Sequence, residues 1–255
     1  MRKLLVGAVA MSCFSVAQAQ FEPPVLSPVA QKIQAAMQSE IRTAQEKDRD
    51  ENRSPVKTLE FMGLSDDMRV VELVPGGGWY TKILAAVLAD KGEFYVGLGT
   101  RRIPPLLEKH PELSAVKILP VDVKFVPAEI MGLFELGEFS LAIDNVDMVL
   151  TFRNLHNFTT PSRVHINRAV FDALRPGGLY GVVDHTRRHN EPANSENWRR
   201  LDPVLVIKEI QDAGFELVDS SDVHYRPDDE LRYEVGRKTV AGNTDRFTLL
   251  FRKPD

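Results

Sequence analysis

Cysteine is nearly missing from this chain: Cys13 is the only one. It falls inside a leading segment that reads as removable, so the mature protein would carry no thiol. That excludes disulfides, thiolate metal sites and cysteine nucleophiles, and it suits an oxidising compartment. A basic excess is missing too. With 32 Lys+Arg against 36 Asp+Glu, the formal net charge is -4, which offers no electrostatic footprint for nucleic acid. Apolar runs long enough to span a bilayer, internal repeats and low-complexity tracts are also lacking. What remains is ordinary globular composition, 43% hydrophobic and 27% charged over 255 residues, enough for one α/β domain with a sizeable core.

The chain opens like an export signal. Arg2 and Lys3 give a basic start, "LLVGAVAMSCFSV" is apolar, and Ala17-Gln18-Ala19 is a small-x-small cleavage site. The expected organisation is a signal peptide over 1–19, a linker and edge helix over 20–54, and an α/β domain over 55–255. Periplasmic or secreted localisation follows. Within the second region, Ile33, Ala36, Met37, Ile41 and Ala44 recur at helical spacing, and "EKDRDENRSP" is expected to break that helix.

The main body alternates strands and helices. Val-, Ile- and Leu-rich strands are predicted over 69–74, 93–98, 116–121, 146–152, 179–184, 215–220 and 246–251. Their continuous apolar character suits a sheet covered on both faces. Thr160-Pro161 and Asp202-Pro203 read as helix starts, Gly214 as a helix end, and "RPGG" at 175–178 as a turn. The fold class is α/β, with one doubly wound, seven-stranded, mostly parallel sheet.

Three consecutive glycines, Gly76, Gly77 and Gly78, follow the first strand and lead into a helix. In such sheets ligands bind beyond the carboxyl ends of the strands. A phosphate-cradling loop needs Lys and then Ser or Thr after the last glycine, and Trp79-Tyr80 stand there instead. A dinucleotide fingerprint finds Thr81 where its third glycine belongs, leaving a nicotinamide-dependent oxidoreductase a distant reading. A nucleoside with an amino-acid tail needs close backbone approach but no diphosphate site. A tight turn with no ligand is the bland alternative.

Here "VVELVPGGG" resembles motif I of the class I S-adenosylmethionine-dependent methyltransferases. "FDALRPGGLYGVVD", "DAGFELVDS" and "DRFTLLFRKP" resemble that family's later helix, turn and strands in order. Together "PGGGWYT", "NLHNF", "GVVDH" and the ending look like a bacterial group of exported, predicted methyltransferases. The resemblance implies a Rossmann-like methyltransferase fold and S-adenosyl-L-methionine as cofactor. It implies that Glu72 faces the cofactor's amino group, that Gly76, Gly77 and Gly78 let the ligand lie on the loop, and that Asp122 meets the adenine. Two positions depart from the pattern: Val74 replaces its first glycine, and the second strand ends "VGLGT" without an acid for the ribose.

The fourth and fifth strands end in polar groups. Asn154, His156 and Asn157 follow one; Asp184 and His185 end the other. A histidine can act as a base near neutral pH and Asp184 can orient it, while the asparagines can hold a substrate carbonyl or hydroxyl. These five are the catalytic candidates. The bland reading makes His156 a strand cap. A metal site from His156, Asp184 and His185 or His189 lacks a tight spacing signature, and no metal is expected. Residues 222–244 either cover the site and select the acceptor or form a solvated excursion. The expected function is methyl transfer to a small-molecule or peptide-borne nucleophile. The alternative is an exported small-molecule binder that kept the fold without the chemistry.

Overall fold

The computed structural model describes residues 26–130 and 132–255. The expected signal peptide lies outside the described residues. Helix α1 (Pro28–Met37) starts with Ser27 accepting the Ala30 N–H and Pro28 at the first position, and buries Ala30, Ile33 and Ala36. The apolar spacing continues to Ile41 and Ala44, but the helix does not. The charged stretch after it folds as two short helices, α2 (Ala44–Lys47) and α3 (Asp50–Arg53), ahead of α4 (Pro55–Phe61). The reason lies in one buried side chain. Arg42 donates to the Met37 and Glu46 carbonyls and pairs with Asp50, gathering carbonyls and charge that a loop would leave to water.

The seven predicted strands all form. They are β1 (Arg69–Leu73), β2 (Glu93–Gly97), β3 (Lys117–Ile118), β4 (Val146–Phe152), β5 (Leu174–His185), β6 (Glu216–Ser221) and β7 (Arg246–Arg252). The sheet order is β3-β2-β1-β4-β5-β7-β6. β1 to β5 run parallel, and β7 is antiparallel to both of its neighbours. β5 reaches back through the expected "RPGG" turn. A register shift against β4 and a left-handed Gly177 (φ 70°) absorb that turn within the strand.

Both faces of the central strands β1, β4, β5 and β7 are largely buried, as their unbroken apolar runs require, whereas the edge strands β3 and β6 are exposed. Val71, Leu73 and Val149 join the core beneath α7 (Thr160–Ala173) and α8 (Pro203–Asp212), which contributes Ile166, Val170, Val206 and Ile210. Val70, Met148 and Leu150 point the other way. They pack with Ile33 of α1, Leu59 of α4, Ile83 and Leu84 of α5 (Trp79–Leu88), and Ile103 of α6 (Ile103–Lys109). α8 starts at its expected cap, with Asp202 accepting the Val204 N–H, and Gly214 (φ 108°) follows its end.

The reversal of strand order falls between β1 and β4. There Leu73 sits opposite Thr151, so the glycine loop and the residues after Phe152 emerge side by side. One strand further, Phe152 sits opposite Val183, which brings the end of β5 to the same edge. Because β7 is antiparallel, it presents its first residue there: Arg246 lies opposite His185.

Candidate active site

The glycines have distinct reasons. Gly78 closes the turn onto the Pro75 carbonyl at φ 83°, and a Cβ there would meet Leu106 at 2.4 Å. Gly76 needs its positive φ of 59° but has open space around it. Gly77 has neither constraint: no atom lies within 4 Å of an added Cβ. That open space is the floor of a cavity of about 280 Å³, walled also by Glu72, Trp79, Tyr80, Arg53, Arg153 and Asn154.

Glu72 is buried and accepts the Thr81 hydroxyl at 2.6 Å. Burial raises its carboxyl to about 7, against the lowering effects of Thr81 and the Arg53 charge. Thr81, where a dinucleotide fingerprint would have glycine, therefore anchors the acid. Val74, at the family's first glycine, adopts φ 50°, a conformation costly for a β-branched residue at roughly 1–3 kcal/mol. Its N–H is held by the Gly97 and Leu98 carbonyls, and its own carbonyl accepts from Asn154 Nδ2 at 3.0 Å. Asn154 thus ties the end of β4 to the glycine loop.

Trp79 and Tyr80 clamp the N-terminal helices over this cavity. Trp79 Nε1 donates to the Glu46 carbonyl, and the guanidinium of Arg53 lies 4.3 Å from the Trp79 ring centre. Burial first, then the charges of Arg153, Arg49 and Arg246, pull the Arg53 guanidinium down to about 8. Near neutral pH it stays charged, and its Nε has no partner among the described residues.

A second cavity, of about 370 Å³, shares Arg49 and Arg153 with the first and is lined by His156, Asn157, His185 and Arg246. Asp184 is fully buried behind it. One carboxylate oxygen of Asp184 meets His156 Nδ1 at 2.5 Å and the His185 N–H at 2.7 Å; the other accepts the His156 N–H at 3.0 Å. Two backbone donors on an acceptor-only carboxylate make the Nδ1 contact an N–H donation, which leaves Nε2 as the ring nitrogen not engaged by Asp184. His185 is a different case. Its Nδ1 bonds the Thr244 hydroxyl at 2.9 Å, and burial, reinforced by His156 and the arginines Arg246, Arg153 and Arg200, holds its imidazole well below the usual histidine range.

The segment 222–244 covers this cavity, contributing Val235, Gly236, Gly242 and Thr244 to its wall. A fully buried ion pair, Arg200 to Asp229 at 2.8 and 3.0 Å, pins that segment, and Asp229 also accepts the Asp245 N–H. The five catalytic candidates therefore divide: Asn154 belongs to the first cavity, His156, Asn157 and His185 to the second, and Asp184 supports His156 from behind. Asp122 is exposed and lines neither cavity. His189 bonds Asp202 elsewhere, and no group of three or more His, Cys, Asp or Glu is placed to hold a metal among the described residues.

Sequence reasoning missed the arginines. Arg153 stands inside the quoted "TFRNLHNF" and Arg246 opens the last strand, but only the sheet order brings them together with Arg49 and Arg53.

No family model and no curated protein matches this chain. Solved structures do match in architecture. A SAM-dependent methyltransferase from Aquifex aeolicus superposes with a TM-score of 0.54 at 17% identity, over 88% of this chain and 97% of its own. The 1,6-didemethyltoxoflavin-N1-methyltransferase of Burkholderia thailandensis, solved with S-adenosylhomocysteine, gives 0.51 at 16% identity over 95% and 98%. The [4+2]-cyclase SpnF gives 0.54 at 17% identity over 85% and 86%. The chain has the Rossmann-like architecture of the class I methyltransferases. At these identities the likeness carries the fold, and one of the three carries a different catalytic name.

Proposed function

We propose that this protein is an S-adenosylmethionine-dependent methyltransferase whose acceptor enters the second cavity. The observation that carries the reading is the open glycine floor beside buried Glu72, one wall away from the His156–Asp184 pair. The residues present fit the amino-acid end of the cofactor. Glu72 suits an ammonium, Arg53 a carboxylate, and Gly76 and Gly77 admit a ligand against the backbone. Over the ribose the fit is poorer, because the end of β2 holds no carboxylate. A missing charge-assisted hydrogen bond costs about 1.5–3 kcal/mol, or about ten- to a hundredfold in affinity. Asp122 remains the proposed partner of the adenine amino group.

Bound there, the cofactor would supply a methyl group on a sulfonium, with the carbon–sulfur electron pair leaving on sulfur. The protein's part is placement and proton management. The adjoining cavities, which share Arg49 and Arg153, would hold donor and acceptor next to each other. His156 Nε2 would accept the proton that a hydroxyl acceptor gives up. Asp184 holds the imidazole in the required tautomer and stabilises its charged form. Asn157 is placed to orient the acceptor.

Titration of the protein with S-adenosylmethionine and S-adenosylhomocysteine by calorimetry tests this reading; absence of binding at millimolar ligand would overturn it. The bare end of β2 favours a second reading, a binder that kept the architecture without the chemistry. We further propose export to the periplasm, on the strength of the leading segment, and kinship with the exported bacterial group.

A further inference from the structure

We infer that the acceptor is a small molecule carrying a carboxylate or phosphate beside its hydroxyl nucleophile, with the anion seated between Arg153, Arg246 and Arg49. The inference rests on the methyl-transfer reading and names its substrate class.

Four arginines line the second cavity, and no Asp or Glu does. Arg199 is offset by its pairing with Glu234. The other three form no ion pair among the described residues. Arg246 is 4% exposed, spends one Nη1 bond on the Asn52 carbonyl, and leaves its Nε without a partner. Arg153 is half-buried and held at φ 61° by its N–H bond to Val183, a backbone conformation that costs a non-glycine residue about 1–3 kcal/mol.

Collecting cations in a poorly solvated place is costly unless something compensates them. The cofactor cannot do so. Its single carboxylate is matched by its own ammonium, and its sulfonium would add a further positive charge. Asp184 behind the wall is taken up by the His156 ring and by the His156 and His185 N–H groups, so direct pairing for the arginines would arrive with the acceptor. Planar guanidinium groups favour carboxylate and phosphate oxygens, which they bind in bidentate fashion. A cavity of about 370 Å³ restricts the carrier to a small molecule or one end of a larger one. With its anion held by the arginines, the acceptor's hydroxyl is left to face His156.

Calorimetry on the full protein saturated with S-adenosylhomocysteine tests this. The probes are 3-hydroxybenzoate against 3-hydroxybenzamide, glycerol 3-phosphate against glycerol, and inorganic phosphate. At least one anion should bind about ten- to a hundredfold more tightly than its neutral partner, and the better pair tells carboxylate from phosphate. Arg246 lines the second cavity and not the first, so Arg246→Gln should erase that preference while S-adenosylhomocysteine affinity stays within a few fold. Arg153→Gln should erase it too; because Arg153 stands on the shared wall, a change in S-adenosylhomocysteine affinity there does not count against the inference. Since Arg246 also braces Asn52, the exposed Arg49→Gln gives a version without risk to folding, with a smaller loss of the same sign. Equal affinity for charged and neutral probes, or a preference surviving in the Arg153→Gln, Arg49→Gln double variant, overturns the inference. If S-adenosylhomocysteine binds and the anions do not discriminate, only the substrate class falls. If anions bind through Arg153 and S-adenosylhomocysteine does not bind at all, the anion site stands and methyl transfer falls.

Discussion

Asp184 grips His156 twice, taking its ring Nδ1 at 2.5 Å with one oxygen and its backbone N–H at 3.0 Å with the other. This double contact fixes both the position of the residue and the tautomer of its ring. It also separates the two histidines at the sheet edge, whose ring centres lie 5.5 Å apart. His156 is held by Asp184 through Nδ1, whereas His185 bonds Thr244 and its imidazole is held well below the usual histidine range by burial.

Replacing His156 by Gln should therefore lower turnover by about 10²–10⁴-fold, or about 3–5 kcal/mol of transition-state stabilisation, and leave cofactor affinity within a few fold. Asp184→Asn should act in the same direction more mildly. Labelled methyl incorporation into periplasmic extract supplies the assay. Unchanged turnover in His156→Gln would leave positioning as the whole mechanism.

Gly77 and Gly78 should respond in opposite ways. Gly77→Val adds atoms to open space, so the melting temperature should stay close to the parent value while S-adenosylhomocysteine binding disappears. Gly78→Val combines a φ of 83° with a 2.4 Å clash against Leu106, so it should lose stability first. Undiminished binding by folded Gly77→Val would remove the loop from the ligand site.

Glu72 links ligand binding to protons. Its folded value of about 7 lies above the ordinary 4.5, so its contribution to stability is complete below about pH 4.5 and is lost as pH rises through 7. The loss is on the order of 3 kcal/mol. Glu72→Gln should accordingly be more stable than the parent at pH 8. A ligand ammonium beside Glu72 favours its charged form, so binding at pH 7 should release about half a proton. Calorimetry in two buffers of different ionisation enthalpy measures that release, and identical heats would remove Glu72 from contact with the amino group.

His224 should govern acid stability. It bonds Thr248 through Nδ1 at 2.7 Å and the Arg53 carbonyl through Nε2 at 3.0 Å, and burial lowers it from 6.5 to about 4. A neutral buried histidine contributes stability that is present above about pH 6.5 and lost as pH falls through 4, by about 3 kcal/mol. His185 acts in the same direction, and Glu72 opposes both between pH 4.5 and 7. Denaturant titrations of His224→Gln should show a lower starting stability at pH 7 and a smaller drop to pH 4.5 than the parent. An identical drop would clear His224 of the role.

The native protein should begin at Gln20 and be recovered outside the cytoplasm. N-terminal sequencing decides this, and a chain starting at Met1 or Arg2 would end the export proposal.

Much of the architecture was readable along the chain. The apolar runs at β1, β4, β5 and β7 mark central strands because burial on both faces needs Val, Ile and Leu at consecutive positions, while the edge strands β3 and β6 form with their side chains largely exposed. Asp202-Pro203 and Gly214 punctuate α8 because caps and left-handed turns depend on local chemistry alone. The helices over 44–53 were unreadable, since their charged residues look solvated until Arg42 is seen buried beneath them. β5 also ran past its expected start, because pairing with β4 and β7 absorbed a local turn signal.

The sequence by itself determined the strand, glycine loop and helix around Glu72, and the polar endings at Asn154 and Asp184, because each is a short-range pattern. Tertiary structure alone decided which of those groups meet. Arg49, Arg153 and Arg246 come from three distant stretches, and their convergence depends on the strand order and on β7 running antiparallel. The same holds for the tautomer of His156, the raised carboxyl of Glu72 and the positive wall of the second cavity. Burial and long-range electrostatics set these properties, and both depend on neighbours that periodicity along a chain does not encode.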